Sequence, residues 1–263
     1  MTLQIEQLGD VIRLRMSSPG SRLAGLDVSA YVVRGILVDT GFHRARHELD
    51  EALTSLAVRG AILTHWHEDH AGNAELLAAR GIPLSIRADT EAILRRRPPI
   101  RLYRRAVWGH PPPLRSRVEP LALGELEVVH TPGHTEDHQV VWDPRTETVF
   151  AGDLWLGVRA RAMHEHEDPY AIVRSLRAVA ALSPRRMFDA HRGSVERPGD
   201  ALTARADWLT ETTDEIARRI AQGWTDGQIL RRVLGGEERA GYASGGEYAR
   251  RNLVRAVRRT QSS

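Results

Sequence analysis

Three imidazoles and two carboxylates crowd into one short stretch, Thr64-His65-Trp66-His67-Glu68-Asp69-His70. A buried imidazole or carboxylate needs a hydrogen-bond partner or a counter-charge, and a divalent cation supplies one directly. His65 and His67 alternate, so on extended backbone both point to one face, as two ligands of one ion require. Asp69 and His70 fall past the strand end, where a turn into a helix beginning near Gly72 aims them at a neighbouring position. A zinc ion takes about four ligands, with one place left to water when the site is catalytic. The stretch therefore offers donors to two adjacent ions and completes neither set.

Three later places offer the missing donors. His134 lies in the tight turn Thr131-Pro132-Gly133-His134-Thr135, Asp153 follows the strand ending at Ala151, and His191 follows the short apolar run Met187-Phe188. Each sits at a strand end or in the loop beyond it, where a sheet with helices on its faces gathers ligand groups from distant parts of a chain.

Taken together, His65-x-His67-x-Asp69-His70 followed by His134, Asp153 and His191 resembles the signature of the metallo-β-lactamase-fold hydrolases, of the glyoxalase II-like kind. Val38-Asp39-Thr40-Gly41 resembles an earlier structural motif of that family, and the likeness covers roughly residues 3 to 200. It implies an α+β fold, a four-layer αβ/βα sandwich, with a dinuclear site at the sheet edge. On this match His65, His67 and His134 hold the first ion, Asp69, His70 and His191 the second, and Asp153 bridges them. The cofactors implied are two divalent metal ions, zinc first, with iron and manganese served by the same donors.

Composition narrows the remaining chemistry. The chain has no cysteine and no lysine, so all 37 basic residues are arginine. A thiolate nucleophile, a Cys-ligated metal, a Schiff base and a phosphate-loop lysine are all excluded. A net charge of +3 against 34 acids permits a polyanion-binding surface without requiring one. No apolar run approaches the roughly 20 residues of a membrane helix, so a cytoplasmic protein without membrane partners is expected. Oligomeric state is left open.

The elements that must position these donors can be read from periodicity. Residues 3–16 alternate as an edge strand or hairpin arm, and 17–25 have loop composition. Strands are expected at 28–33 and 35–38, delivering Asp39 to a loop where its carboxylate orients the metal stretch from behind. An amphipathic helix covers 44–58, followed after the metal stretch by a helix at 73–79, a strand at 84–86 and a helix at 90–96. Residues 95–118, rich in Arg and Pro, show neither period. With Tyr103, Val107, Trp108 and Leu114 to bury, this segment is expected to form a substrate lid contributed chiefly by Tyr103 and Trp108. Strands follow at 120–129 and 138–151. His130 and His138 are candidates to hydrogen-bond ligands, with strand-end packing explaining them equally well. Residues 156–168 read as a polar loop in which His164 and His166 have a ligand pair's spacing and no third donor nearby. Helices are expected at 169–182, 201–222, 226–234 and 247–259. The domains expected are a catalytic one over 1–200 and a small C-terminal helical extension over 201–263.

The function expected is a metal-dependent hydrolase that uses a hydroxide bridging two metals to attack an ester, thioester or lactone of a small molecule. Asp69 would double as ligand and proton shuttle to the leaving group. Quorum-signal lactonases with this layout carry a Tyr three positions after the bridging Asp, where this chain has Leu156, which speaks against a lactone. The alternative is a single-strand endoribonuclease of the β-lactamase-like branch, resembled by Thr131 to His138 and the helical tail, with the Arg-rich segment as phosphate contacts. Nucleic acid is a partner only under that alternative.

Overall fold

The computed structural model describes residues 2–24 and 27–261. In chain order it begins with β1 (Thr2–Leu8), β2 (Val11–Ser17), α1 (Pro19–Ala24), β3 (Val28–Val33) and β4 (Ile36–Val38). Next come α2 (Arg46–Ser55), β5 (Gly60–Ile62), α3 (Ala74–Ala79), β6 (Leu84–Ser85), α4 (Ala88–Arg96) and α5 (Leu102–Trp108). Then follow β7 (Glu127–His130), β8 (Gln139–Asp143), β9 (Thr148–Phe150), β10 (Met163–His164), α6 (Pro169–Ala181), β11 (Arg186–Asp189) and β12 (Gly193–Val195). The chain closes with α7 (Pro198–Ala221), α8 (Asp226–Arg232), α9 (Arg239–Ala243), β13 (Tyr248–Ala249) and α10 (Arg251–Gln261). Among the described residues no helix is long and apolar enough to cross a membrane.

These elements form two interleaved compact units. The first comprises Met1–His130, Asp137–Asp153 and Met187–Ser194, and the second Thr131–Glu136, Leu154–Arg186 and Val195–Ser263. Residues 201–263, expected as a helical extension packed on the catalytic domain, lie in one unit with 154–186.

Within the first unit a six-stranded sheet runs β1-β2-β3-β4-β5-β6, antiparallel as far as β4 and parallel thereafter. The other large sheet has the order β12-β11-β9-β8-β7. Strand β3 is buried at every position and is apolar but for Ser29, whose Oγ accepts from Arg13 Nε at 2.9 Å, as suits a strand covered on both faces. Leu14, Met16, Ala30, Leu37 and Ala61 pack with Leu49 and Leu53 of α2, Leu77 of α3 and Leu94 of α4. Tyr31, Val33, Ile36, Val38 and Ile62 pack instead with Val141, Phe150 and Phe188 of the other sheet. Helix, sheet and sheet therefore stack as three layers around two apolar interfaces. The second unit is mainly helical: α7 packs on α6 and α10, with Leu176, Val179, Leu202, Leu209 and Val257 fully buried. Asp168 caps α6, its Oδ1 accepting from the amides of Tyr170 and Ala171, with Pro169 in the first turn.

Several local expectations are corrected. The segment 17–25 carries the short helix α1, with Pro19 in its first turn; Gly25 lies outside the described residues. The segment 95–118 contains α5, which starts only after Pro98 and Pro99 and ends before the prolines at 111–113, so the flanking prolines hide it. Trp108 is not on a lid surface: it is 6% exposed and packs on Phe42 in the core, ring centroids 5.2 Å apart. Tyr103 is partly buried on the same helix. The loop 156–168 includes β10, which pairs with β13 through Met163↔Ala249 and His164↔Tyr248.

Candidate metal centre

The metal stretch leaves the buried strand β5 through Leu63 and Thr64 and is gripped by the loop that follows β4. Thr40 donates from both its amide and its hydroxyl to the carbonyl of His70, at 2.7 and 2.8 Å. Asn73 returns the grip, its Nδ2 donating to the carbonyls of Thr40 (2.8 Å) and Phe42 (3.1 Å). Gly72 lies so close beneath this loop that a Cβ there would collide with the carbonyl oxygens of Glu68 and Gly41. Asp39 adopts φ +61°, a left-handed backbone that Asp tolerates better than most residues. That turn brings its carboxylate under the stretch.

Asp39 is 2% exposed and serves three donors. Its Oδ1 accepts from the Thr64 amide at 2.8 Å; its Oδ2 accepts from the Thr64 hydroxyl at 2.9 Å and faces His70 Nδ1 at 2.8 Å. The Thr64 hydroxyl in turn lies 3.0 Å from His65 Nδ1. With the hydroxyl proton committed to Asp39, His65 Nδ1 must be the donor of that contact. One carboxylate thereby holds two imidazoles with Nδ1 protonated, leaving Nε2 of His65 and His70 to face the site.

Those Nε2 atoms meet other donors. His65 Nε2 is 3.0 Å from His67 Nδ1, and His65, His67 and Asp153 each bring one ligand atom within 4.8 Å of the others'. Asp69, His70 and His191 form a second such group. Asp153 Oδ1 joins the two, at 3.1 Å from His70 Nε2 and 3.3 Å from His191 Nε2, while Asp69 Oδ2 stands 3.8 and 3.6 Å from the same nitrogens. His191 is oriented from behind by the carbonyl of Asp27, 3.0 Å from its Nδ1. Asp153 is set by Gly152 (φ +51°), where a Cβ would come within 2.8 Å of His138 Nε2. That same nitrogen accepts the Asp153 amide at 3.1 Å.

The electrostatics describe a cluster suited to a cation. Burial disfavours charge on His70, but Asp153, Asp69 and Asp39 overturn that and hold its pKa well above the ordinary value. Burial likewise opposes charge on His191, yet Asp153 and Asp69 raise it to about 9. Burial would raise Asp153; His70 and His191 outweigh it and hold the carboxyl well below the usual range. Without metal, protons on the imidazoles supply the positive charge these carboxylates demand. His70 Nε2 is buried with no hydrogen-bond partner of proper geometry, although two carboxylates approach it. Imidazoles and carboxylates converging in this way suit a divalent metal, whose charge would take the place of those protons.

His134 belongs to the second unit. Its loop is held there by Gly133 (φ +138°), whose carbonyl accepts the Asp168 amide at 2.9 Å, and by Ser175 Oγ, which donates to Pro132 O at 2.7 Å. His134 Nδ1 lies 3.2 Å from Glu167 Oε1, which also accepts the His164 amide. His164 and His166 stack on each other with centroids 5.3 Å apart, and His164 also lies against Tyr248. His130, expected behind the ligands, is exposed at the end of β7, whereas His138 is buried against Asp153. Sequence reasoning assigns no role to Thr64, Glu167 or the pair Glu68–Arg104; Thr64 and Glu68 stand in the metal stretch itself, whereas Glu167 and Arg104 carry no local signal.

The family model described as Metallo-beta-lactamase superfamily matches residues 23–222. Among curated proteins, the Beta-lactamase-like protein 2 homolog of Drosophila melanogaster is 28% identical over 214 residues, covering 70% of this chain and 68% of that protein. The Atrochrysone carboxyl ACP thioesterase of Aspergillus fumigatus is 29% identical over 202 residues, covering 71% of this chain and 57% of its own length. The chain thus spans between about half and two thirds of these relatives. Among solved structures, a metallo-beta-lactamase family protein from Thermus thermophilus shares the fold with TM-score 0.65 at 20% identity, covering 95% of this chain and 92% of that one. The DIM-1 metallo-beta-lactamase aligns with TM-score 0.60 at 21% identity over 80% of this chain and 97% of its own. With the His/Asp cluster at the strand ends and the family match across most of its length, the chain belongs to the metallo-beta-lactamase superfamily of hydrolases.

Proposed function

We propose that this hydrolase cleaves an ester or thioester of a small molecule, thioester first, at a two-metal centre. In this reading His65, His67 and His134 hold one ion, Asp69, His70 and His191 the other, and Asp153 is shared. The observation that carries it is the joining of two buried donor groups through one Asp153 oxygen, 3.1 and 3.3 Å from two imidazoles. Zinc is the first choice of metal, with iron and manganese equally compatible with the donors. When bound, such metals acidify water towards neutrality and polarise the acyl oxygen.

The chain's own residues do the rest. Asp39 keeps the Nε2 lone pairs of His65 and His70 directed at the site. Asp69, 7% exposed, is able to return a proton to the departing thiolate or alkoxide from the edge of the cluster. The thioesterase relative supports the acyl reading, and Leu156 at the Tyr position of lactonases places lactones behind thioesters. RNA cleavage is the weaker reading, because two central arginines of 95–118, Arg97 and Arg104, are turned onto the metal turn rather than to solvent. Arg97 donates to the Ala71 carbonyl, and Arg104 is buried on Glu68.

The test is a panel of acyl thioesters, aryl esters and lactones, offered to protein loaded with zinc, manganese or iron, alongside single-stranded RNA. Metal-dependent thioester turnover abolished by EDTA and by His70→Ala is expected. Intact thioesters and esters with every metal, or EDTA-sensitive RNA cleavage alone, would overturn the proposal.

A further inference from the structure

Glu68 stands inside the metal stretch, between His67 and Asp69, yet it is not directed to the ligand groups. It is fully buried, and its carboxylate is held by Arg104 of α5 as a two-pronged pair: Nη2 to Oε2 at 2.6 Å, and Nε to Oε1. Arg104 is itself only 5% exposed. A second guanidinium from the same segment, Arg97, donates to the carbonyls of Ala71 (3.2 Å) and Trp66 (3.5 Å), the two ends of the metal turn. The segment bearing both arginines is fastened in turn. The Leu114 amide donates to the Leu94 carbonyl at 3.0 Å, Glu75 takes the amides of Arg115 and Ser116, and Ser18 Oγ donates to Val107 O at 3.1 Å. Trp108, one turn on from Arg104, is anchored on Phe42.

We propose that Arg104 is a positioning residue for the metal centre: it braces the turn that carries His65, His67, Asp69 and His70, and keeps the Glu68 carboxylate away from the ions. This rests on the two-metal reading above. An isolated buried ion pair contributes little net stability against an apolar replacement, so its placement within the turn, between two ligands, points to geometry as its role. A planar five-donor fork fixes both oxygens of a carboxylate at once, which a lysine cannot do. Coulomb's law makes the test discriminating. Removing a cation near the site would by charge alone strengthen metal binding, so a loss of affinity in its absence reports lost geometry.

The experiment compares wild type, Arg104→Ala, Arg104→Lys and the control Leu253→Ala, which lowers stability by emptying a buried position in the second unit. The readouts are metal dissociation constants by competition with a chromophoric chelator, and the visible spectrum of the cobalt(II)-loaded protein. Arg104→Ala should bind metal about 10- to 100-fold more weakly with a shifted cobalt spectrum. Arg104→Lys should show a smaller loss in the same direction, and Leu253→Ala should match wild type in both readouts. Adding Glu68→Gln to Arg104→Ala should restore part of the spectrum by removing the freed carboxylate. Wild-type affinity and spectrum in Arg104→Lys, together with wild-type or tighter binding in Arg104→Ala, would overturn the proposal; where Arg104→Ala does not fold, Arg104→Lys decides alone. Absence of metal from wild type would instead sink the two-metal reading itself.

Discussion

Asp39→Asn isolates what one carboxylate does for two ligands. The replacement has the same shape, and Asn shares with Asp a tolerance of the φ of +61° found there, so backbone strain is held constant. What changes is acceptor capacity. Asp39 accepts from the Thr64 amide and hydroxyl and from His70 Nδ1; an Asn offers one oxygen, and its NH2 must face a donor. In the cheaper orientation the NH2 opposes the Thr64 amide, leaving a buried N–H unpaired at about 1–3 kcal/mol and removing charge assistance from the other two bonds. A total of about 3 kcal/mol follows, which for a chain of this size lowers Tm by roughly 6 to 12 °C. In the other orientation His70 loses its acceptor altogether and the ring is free to turn or change tautomer. Either way metal affinity should fall about 10- to 100-fold. Differential scanning calorimetry of the metal-stripped variant reads the first effect and chelator competition the second. A Tm within about 1 °C of wild type with unchanged metal affinity would refute the inference that Asp39 organises the site.

Metal-stripped protein should lose stability at alkaline pH. The pKa of His191 rises from 6.5 to about 9 in the folded chain, so its contribution is fully present below about 6.5 and is lost as pH rises through about 9. At about 1.4 kcal/mol per pH unit this amounts to about 3 kcal/mol, with His70 acting in the same sense. Asp153, held low, contributes above the ordinary carboxylate pKa and loses its contribution only in acid. Bound metal needs neutral imidazoles, so the Tm curves of loaded and stripped protein should diverge above about pH 7; parallel curves would contradict the assignment. Trp108→Ala should cost about 3–5 kcal/mol in unfolding free energy while leaving KM for any substrate within about twofold, because the indole packs on Phe42. A changed KM with unchanged stability would make it a lid after all.

Chemistry with strong local grammar is legible in the residues alone. Alternation of His65 and His67 after an apolar run, and polar donors at the ends of short strands, carry their own geometry. Asp39 is expected behind the metal stretch from its place after a buried strand and from the motif Val38-Asp39-Thr40-Gly41, although a cap or turn residue would read the same way. Pairings without local pattern stay hidden. Glu68 and Arg104 are 36 residues apart, and neither residue's neighbours signal an ion pair. Helix α5 is masked by flanking prolines that read as a continuous loop, although Leu102, Val107 and Trp108 lie within its span. The two-residue ladder of β10 and β13 is too short to show any period, so His164 reads as part of a loop. His130 gains a role by position alone, and its exposure removes it from among the buried groups that back the ligands.

Elemental analysis of purified protein, dialysed against metal-free buffer, counts the ions directly. Two divalent metals per chain are predicted for wild type, and about one when Asp69 and His191 are both replaced by Ala. A wild-type chain that retains no metal, or one that holds two ions regardless of those replacements, would contradict the dinuclear centre.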